Sequence, residues 1–214
     1  ADNVGDNVGD VAGMGADLFD SNIASMTAAL VIAAALDGGN VMGTHGMMVM
    51  IYAALGLLSS IIGIYTAKIG EHGSPTRALN NSTYVTTGIF LVLTALATLI
   101  FKGFRWEIWG ASAVGLLVGV IIGLATNYFT DDSAPIVKRV AHASKTGPAF
   151  TILSGVSYGF MSVLPAMVGI AVSALVAYKL GAMLAPTPAE TVQYAMYGIS
   201  MAAVGMLSIV GMII

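Results

Sequence analysis

Polar residues in this chain gather at intervals, and between them lie six apolar stretches, each long enough to cross a bilayer as a helix. They run over about residues 9–36, 42–67, 83–101, 106–129, 148–179 and 189–214. Short polar breaks separate them: Asp37 to Asn40, the loop Lys68 to Ser82, the turn Lys102 to Arg105, the loop Thr130 to Gly147, and the turn with Pro186 and Pro188. Trp106 and Trp109 open the fourth stretch as interfacial anchors. The fifth is too long for one perpendicular crossing, which predicts tilt, extension beyond the membrane or a kink at Pro165. Every element read this way is a helix, so the expected fold is an all-α polytopic transmembrane bundle of about six helices in one transmembrane domain.

Composition agrees with that pattern. Of 214 residues, 57% are hydrophobic and 9% charged, against about 25% charged in a soluble domain, and the mean hydropathy is +0.88. A net charge of −3 with few, dispersed basic residues offers no nucleic-acid surface. The absence of cysteine excludes disulfides, thiolate metal sites and cysteine nucleophiles. The abrupt charged start at Ala1 and the apolar finish at Ile214 lead us to expect a piece of a longer protein.

Charge is concentrated at one end. Five of the eleven acidic residues, Asp2, Asp6, Asp10, Asp17 and Asp20, fall in the first twenty-one positions. At ~100° per residue they share an arc of about 80°, in a column roughly 27 Å long. Gly5, Gly9 and Gly13 flank that arc at every fourth position, where another backbone can approach closely. Carboxylates four apart on a helix sit roughly 6 Å from one another and can bracket divalent ions that in turn recruit phosphate oxygens. Asp2, Asp6 and Asp10 suit such a metal–phosphate site at the membrane surface, with Asn3 and Asn7 beside it as donors. Asp17 and Asp20 lie deeper, where a carboxylate marks an ion or proton path, and Ser21 and Ser25 add oxygens. Stabilisation of the helix dipole accounts for Asp2 but not for a column reaching Asp20. A calcium loop of the EF-hand type is excluded, because Val4 and Gly13 stand where ligands are needed.

Loops on the side of the N-terminus carry Lys68, Arg77, Lys138, Arg139 and Lys145, and the other side carries Lys102, Arg105 and Lys179. The basic excess places the acidic end on the cytoplasmic side. Gly115, Gly119 and Gly123, and Gly155 with Gly159, repeat the close-packing spacing. His45, His72 and His142 stand apart from one another near segment ends and read as interfacial. The thirteen methionines read as packing and lipid contacts.

The string ADNVGDNVGDVAGMGADLF resembles the signature of the membrane-integral pyrophosphatases, ion pumps driven by pyrophosphate hydrolysis. GLATNYFTDDSAPIVKRVAHASKTGPA and YGISMAAVGMLSIVG are similar to later parts of the same family, so the resemblance covers essentially the whole chain. It implies a homodimer of sixteen-helix subunits, of which this chain is a central block of six. It implies Mg²⁺-pyrophosphate as substrate, hydrolysed at the cytoplasmic side, with K⁺ and Na⁺ as further cations, the pumped ion being Na⁺ or H⁺. By motif, Asp2, Asp6 and Asp10 are implied as metal and pyrophosphate ligands, Asp10 with Asp6 as catalytic and Asp10 orienting the attacking water, and Asp17 as part of the ion gate. Three positions depart from the family pattern: Ala24 and Asp20 stand where different members carry the gate's Glu, and Asn127 stands where many carry Glu. The family's preceding GADLVGKVE-type motif and its later Asp- and Lys-bearing helices lie outside these residues, so the block alone is expected not to turn over pyrophosphate. The competing readings are a non-enzymatic cation channel or carrier filtered by Asp17 and Asp20, and an inactive truncated product.

Overall fold

Helix is the only regular structure that the described residues adopt, as a chain with this apolar content requires if its backbone polar groups are to be satisfied in lipid. The structure, a computed structural model, describes residues 2–66 and 75–209, without the side chains of residues 2, 3, 7, 10 and 75–77. Among the described residues seven α-helices follow in order: α1 (Asp2–Leu36), α2 (Thr44–Thr66), α3 (Pro75–Ile100), α4 (Trp106–Thr130), α5 (Pro135–Ala143), α6 (Pro148–Ala182) and α7 (Thr191–Leu207), with a 3-10 turn at Ser144–Thr146. Five of them, α1 to α4 and α6, are long and apolar enough to cross a membrane. α7 has 17 described residues, and the apolar sequence after it runs into residues 210–214, outside the described residues.

Several helix ends differ from the sequence reading, each for a local reason. α1 begins at Asp2, ahead of the apolar stretch that starts near residue 9, and the acidic column is helical as expected. α3 begins at Pro75, eight positions before the expected start at Thr83. Proline fits the first helical position because its missing N–H is an orphan there, and by Ser82 the helix is already buried against α2. Lys68 and His72 of the expected loop lie outside the described residues. The loop 130–147 contains α5, which starts at Pro135 by the same logic. α6 runs unbroken through Pro165 for 35 residues, roughly 52 Å at ~1.5 Å per residue, which exceeds a bilayer's hydrocarbon core of ~30 Å.

The chain divides into two compact units, Ala1–Leu117 with Ser173–Ile214, and Val118–Val172. In the first, α1 packs on α2 and α7, and α2 also packs on α3 and α7. Their shared core joins Ala29 and Ala33 of α1, Met48, Val49 and Tyr52 of α2, Phe104 and Ile108 around the start of α4, and Tyr197, Met201 and Val204 of α7. Hydroxyls stitch the helices together: Tyr52 Oη lies 2.6 Å from Thr98 Oγ1, Ser82 donates to the Gly63 carbonyl at 2.6 Å, and Trp109 Nε1–H donates to Thr94 Oγ1 at 3.1 Å. Trp109 thus ties α4 to α3 and packs against the core, while Trp106 stays 48% exposed. The paired anchors of the sequence reading separate into one packing residue and one exposed ring. In the second unit, Gly169 of α6 admits Val118 of α4, which would lie 3.0 Å from a Cβ at that glycine.

Between transmembrane helices no water is released to drive association, so backbone approach decides packing. At the α6–α7 crossing Gly181 and Gly198 face each other: a Cβ on Gly198 would strike the Ala177 carbonyl and come within 3.0 Å of the Gly181 Cα. Gly115 likewise lies against the backbone of Ala202, and Gly205 against Ser112. Gly155 and Gly159 have nothing within 4 Å. In the full-length protein in mild detergent, Gly198→Ala therefore destabilises by about 1–3 kcal/mol through overpacking. The control Gly155→Ala stays within about 0.5 kcal/mol. Thermal unfolding of the two variants side by side checks this, and equal midpoints contradict it.

Candidate functional site

The acidic stretch becomes the first half of α1, and the helix settles the register on which the carboxylate column depends. Positions 2, 6 and 10 succeed one another at one-turn steps along one face, and positions 17 and 20 continue it about two turns further on. Asp6 is exposed, and so are Asp17, Asp20 and Ser21. The side chains of Asp2 and Asp10 lie outside the described residues. None of Asp6, Asp17, Asp20 and Ser21 has a hydrogen bond or ion pair among the described residues. Ser25 is committed locally, its hydroxyl donating to the Asn22 carbonyl at 2.9 Å.

The apolar residues of this half are uncovered too: Val4 is 67% exposed and Phe19 68%. Gly5, Gly9 and Gly13 each have open space where a Cβ would stand. α1 is therefore a two-part helix. From Ala29 onward it is anchored in the core of the first unit, and before that Asp6, Asp17 and Asp20 are exposed. Among the described residues no three His, Cys, Asp or Glu converge into a metal cluster. A single helix supplies only one wall of a site. Hard carboxylate oxygens in one-turn steps suit Mg²⁺, which is held through one or two carboxylates and completes its shell with water and phosphate oxygens.

The other polar cluster of note lies at the opposite end of α1, and the sequence reading did not assemble it. Asp37 follows the helix directly, and Gly38 and Gly39, with φ of 66° and 93°, turn the chain back in a conformation that favours glycine. The turn brings Asp37 to the start of α2: Asp37 Oδ2 accepts the backbone N–H of His45 at 2.9 Å, and Asp37 Oδ1 lies 2.7 Å from His45 Nδ1. Tyr197 of α7 donates its hydroxyl to the His45 carbonyl at 2.8 Å. The rings of Tyr194 and Tyr197 meet the imidazole edge-on, with centroids 5.6 and 5.2 Å away. His45, at the start of α2, thus joins the end of α1 to α7. Helical periodicity is blind to the eight-residue separation between Asp37 and His45. The signal that was present in the sequence is the DGG turn, followed closely by GTH.

In the second unit the loop before α5 carries Asp131, whose carboxylate accepts the Ser133 backbone N–H at 2.7 Å and the Ser133 hydroxyl at 2.5 Å. Those hydrogen bonds hold its carboxyl below the ordinary carboxylate range. Lys138, Arg139, His142 and Lys145 are all exposed around α5.

Against this geometry the comparisons with known proteins are specific. A sequence profile of the family described as Inorganic H+ pyrophosphatase matches residues 1–214, the whole chain. A protein of Clostridium tetani, provisionally named a K(+)-stimulated pyrophosphate-energized sodium pump, is 40% identical over 99% of this chain and 30% of its own length. The K(+)-insensitive pyrophosphate-energized proton pump 2 of Moorella thermoacetica is 38% identical over 97% of this chain and 30% of its own. A K(+)-insensitive pyrophosphate-energized proton pump of Methanosarcina mazei is 36% identical over 100% of this chain and 31% of its own. The chain spans about 30% of the length of these relatives. With a family profile matched from first residue to last and relatives similar along nearly all of it, the chain belongs to the inorganic H+ pyrophosphatase family, the membrane pyrophosphatases.

Proposed function

We propose that this chain forms part of a pyrophosphate-energised pump for Na⁺ or H⁺, in which α1 supplies one wall of the hydrolytic site and the upper part of the ion path. The single observation that supports this reading is the continuous helix carrying Asp2, Asp6, Asp10, Asp17 and Asp20 along one face with no basic partner among the described residues. Carboxylates so arranged in a membrane-spanning helix call for cations, and the names of the relatives supply two ion classes, sodium and protons, with K⁺ as a modulator in some.

In this proposal Asp2, Asp6 and Asp10 are the residues that would hold Mg²⁺ beside the pyrophosphate. The bound ion supplies charge neutralisation at the phosphate oxygens. Asp10 accepts a proton from the attacking water as its oxygen bonds to phosphorus, the bridging P–O bond breaks, and two phosphates leave. Other segments of the full-length protein supply the opposite wall and its cationic side chains. Asp17, Asp20 and Ser21 form the gate two turns below. The acidic end faces the cytoplasm, the exposed apolar side chains of α6, Phe160 and Leu164 among them, meet lipid or a second subunit, and the working unit is a homodimer.

Two expected outcomes test the division of labour. In the full-length protein, Asp10→Asn lowers Mg²⁺-dependent phosphate release by about 100-fold or more, the range of a lost general base, and a wild-type rate contradicts the assignment. Asp20→Asn leaves the KM for Mg²⁺-pyrophosphate near the wild-type value. It raises the concentration of transported ion needed for half-maximal activity by about 10-fold, equivalent to ~1.4 kcal/mol of lost ion binding. An unchanged ion dependence removes Asp20 from the gate.

A further inference from the structure

We propose that the Asp37–His45 pair is a proton-binding site at the end of α1 remote from the acidic column, and that its occupancy sets how tightly α7 is held on the α1–α2 turn. The pair belongs to neither the hydrolytic residues nor the gate, and the inference holds whichever ion is moved.

The geometry makes one carboxylate serve two purposes. Asp37 Oδ2 accepts the His45 backbone N–H at 2.9 Å, and Oδ1 meets the imidazole Nδ1 at 2.7 Å, so the side chain both caps the first turn of α2 and pairs with a titratable ring. The side chains of His45 and Asp37 are only 20% and 14% exposed. Gly43 permits this approach: a Cβ there would collide with the Asp37 carboxylate. The same residue, His45, carries the link to α7 through the Tyr197 hydroxyl on its carbonyl at 2.8 Å and through the edge-on rings of Tyr194 and Tyr197. Whatever holds His45 therefore holds α7 as well.

A neutral imidazole gives Asp37 an ordinary hydrogen bond, whereas an imidazolium gives it a charge-assisted one, roughly twice as strong. The groups around His45 on the neighbouring elements are Asp37 in the turn, Tyr194 and Tyr197 on α7, and Tyr52 on α2 behind Tyr197. Glu190 before α7 and Arg105 before α4 act on Tyr194 from further away, and Arg105 has Glu107 at 3.6 Å. Of these side-chain types, imidazole is the one whose ordinary titration falls between about pH 5 and 8. Protonation thus tightens the junction, and the extra hold is lost when rising pH removes the proton from the ring.

The His45 amide is a built-in reporter, since its hydrogen bond is the one the carboxylate makes. Hydrogen exchange of the full-length protein in lipid nanodiscs, corrected for intrinsic rates, is followed between pH 5.5 and 8. Protection over residues 37–47 and at the start of α7 falls roughly fivefold as pH rises, the scale of exchanging a charged for a neutral hydrogen bond, while residues 23–33 of α1 do not change. His45→Asn keeps a donor at the Nδ1 position without a titration and removes the step, and Asp37→Asn removes it from the other side. No pH step in the wild-type protein overturns the proposal whether or not the variants fold. A step that survives in His45→Asn overturns it equally.

Discussion

A carboxylate in a membrane-spanning helix is tolerated only where a cation or a hydrogen-bond donor stands beside it, and that constraint organises α1. Five aspartates lie on one face of its first half, and the side chains that can be described there have no partner among the described residues. The energy to keep such a face charged comes from what binds it. Metal ions and a transported cation are the occupants that the proposed function assigns to that face, and the chain spans about 30% of its relatives' length.

The rest of the structure holds that face in place from a distance. α1 is anchored through Ala29 and Ala33, whose small side chains let α2 and α7 close on it. The glycines of α4, α6 and α7 do the same for the neighbouring crossings, with Gly198 against Gly181 and Gly115 against Ala202. Beyond the anchor the helix ends on Gly38 and Gly39, and Asp37 is folded onto the start of α2. The two ends of one helix thus treat the same side chain in opposite ways. At the anchored end an aspartate is enclosed and satisfied by His45, and at the other Asp6, Asp17 and Asp20 are exposed.

Much of this was legible in the sequence because it depends on local periodicity. Apolar stretches of bilayer length gave the helices α1 to α4 and α6, and position times 100° gave the acidic face. Helix starts were misplaced where polarity and helicity part company. Pro75 to Ser82 and most of Pro135 to Ala143 lie in stretches that read as loop, yet each is helical, led by a proline suited to the first turn. The contacts that need tertiary structure were out of reach: Asp37 with His45, Trp109 with Thr94, and the selection of which glycine ladders pack. Gly155 and Gly159 have the same spacing as glycines that do touch a neighbour, and spacing alone does not say which backbone will arrive.

The central claim is that the acidic face of α1 joins pyrophosphate chemistry to ion movement, and it is tested most directly by measuring both in one preparation. The full-length protein in sealed vesicles is given Mg²⁺ with or without pyrophosphate, and ion flux and phosphate release are recorded together. The account predicts that flux begins only when pyrophosphate is present and that Asp6→Asn abolishes flux and phosphate release in parallel. Flux that proceeds without pyrophosphate, or that survives in Asp6→Asn while hydrolysis is lost, contradicts it.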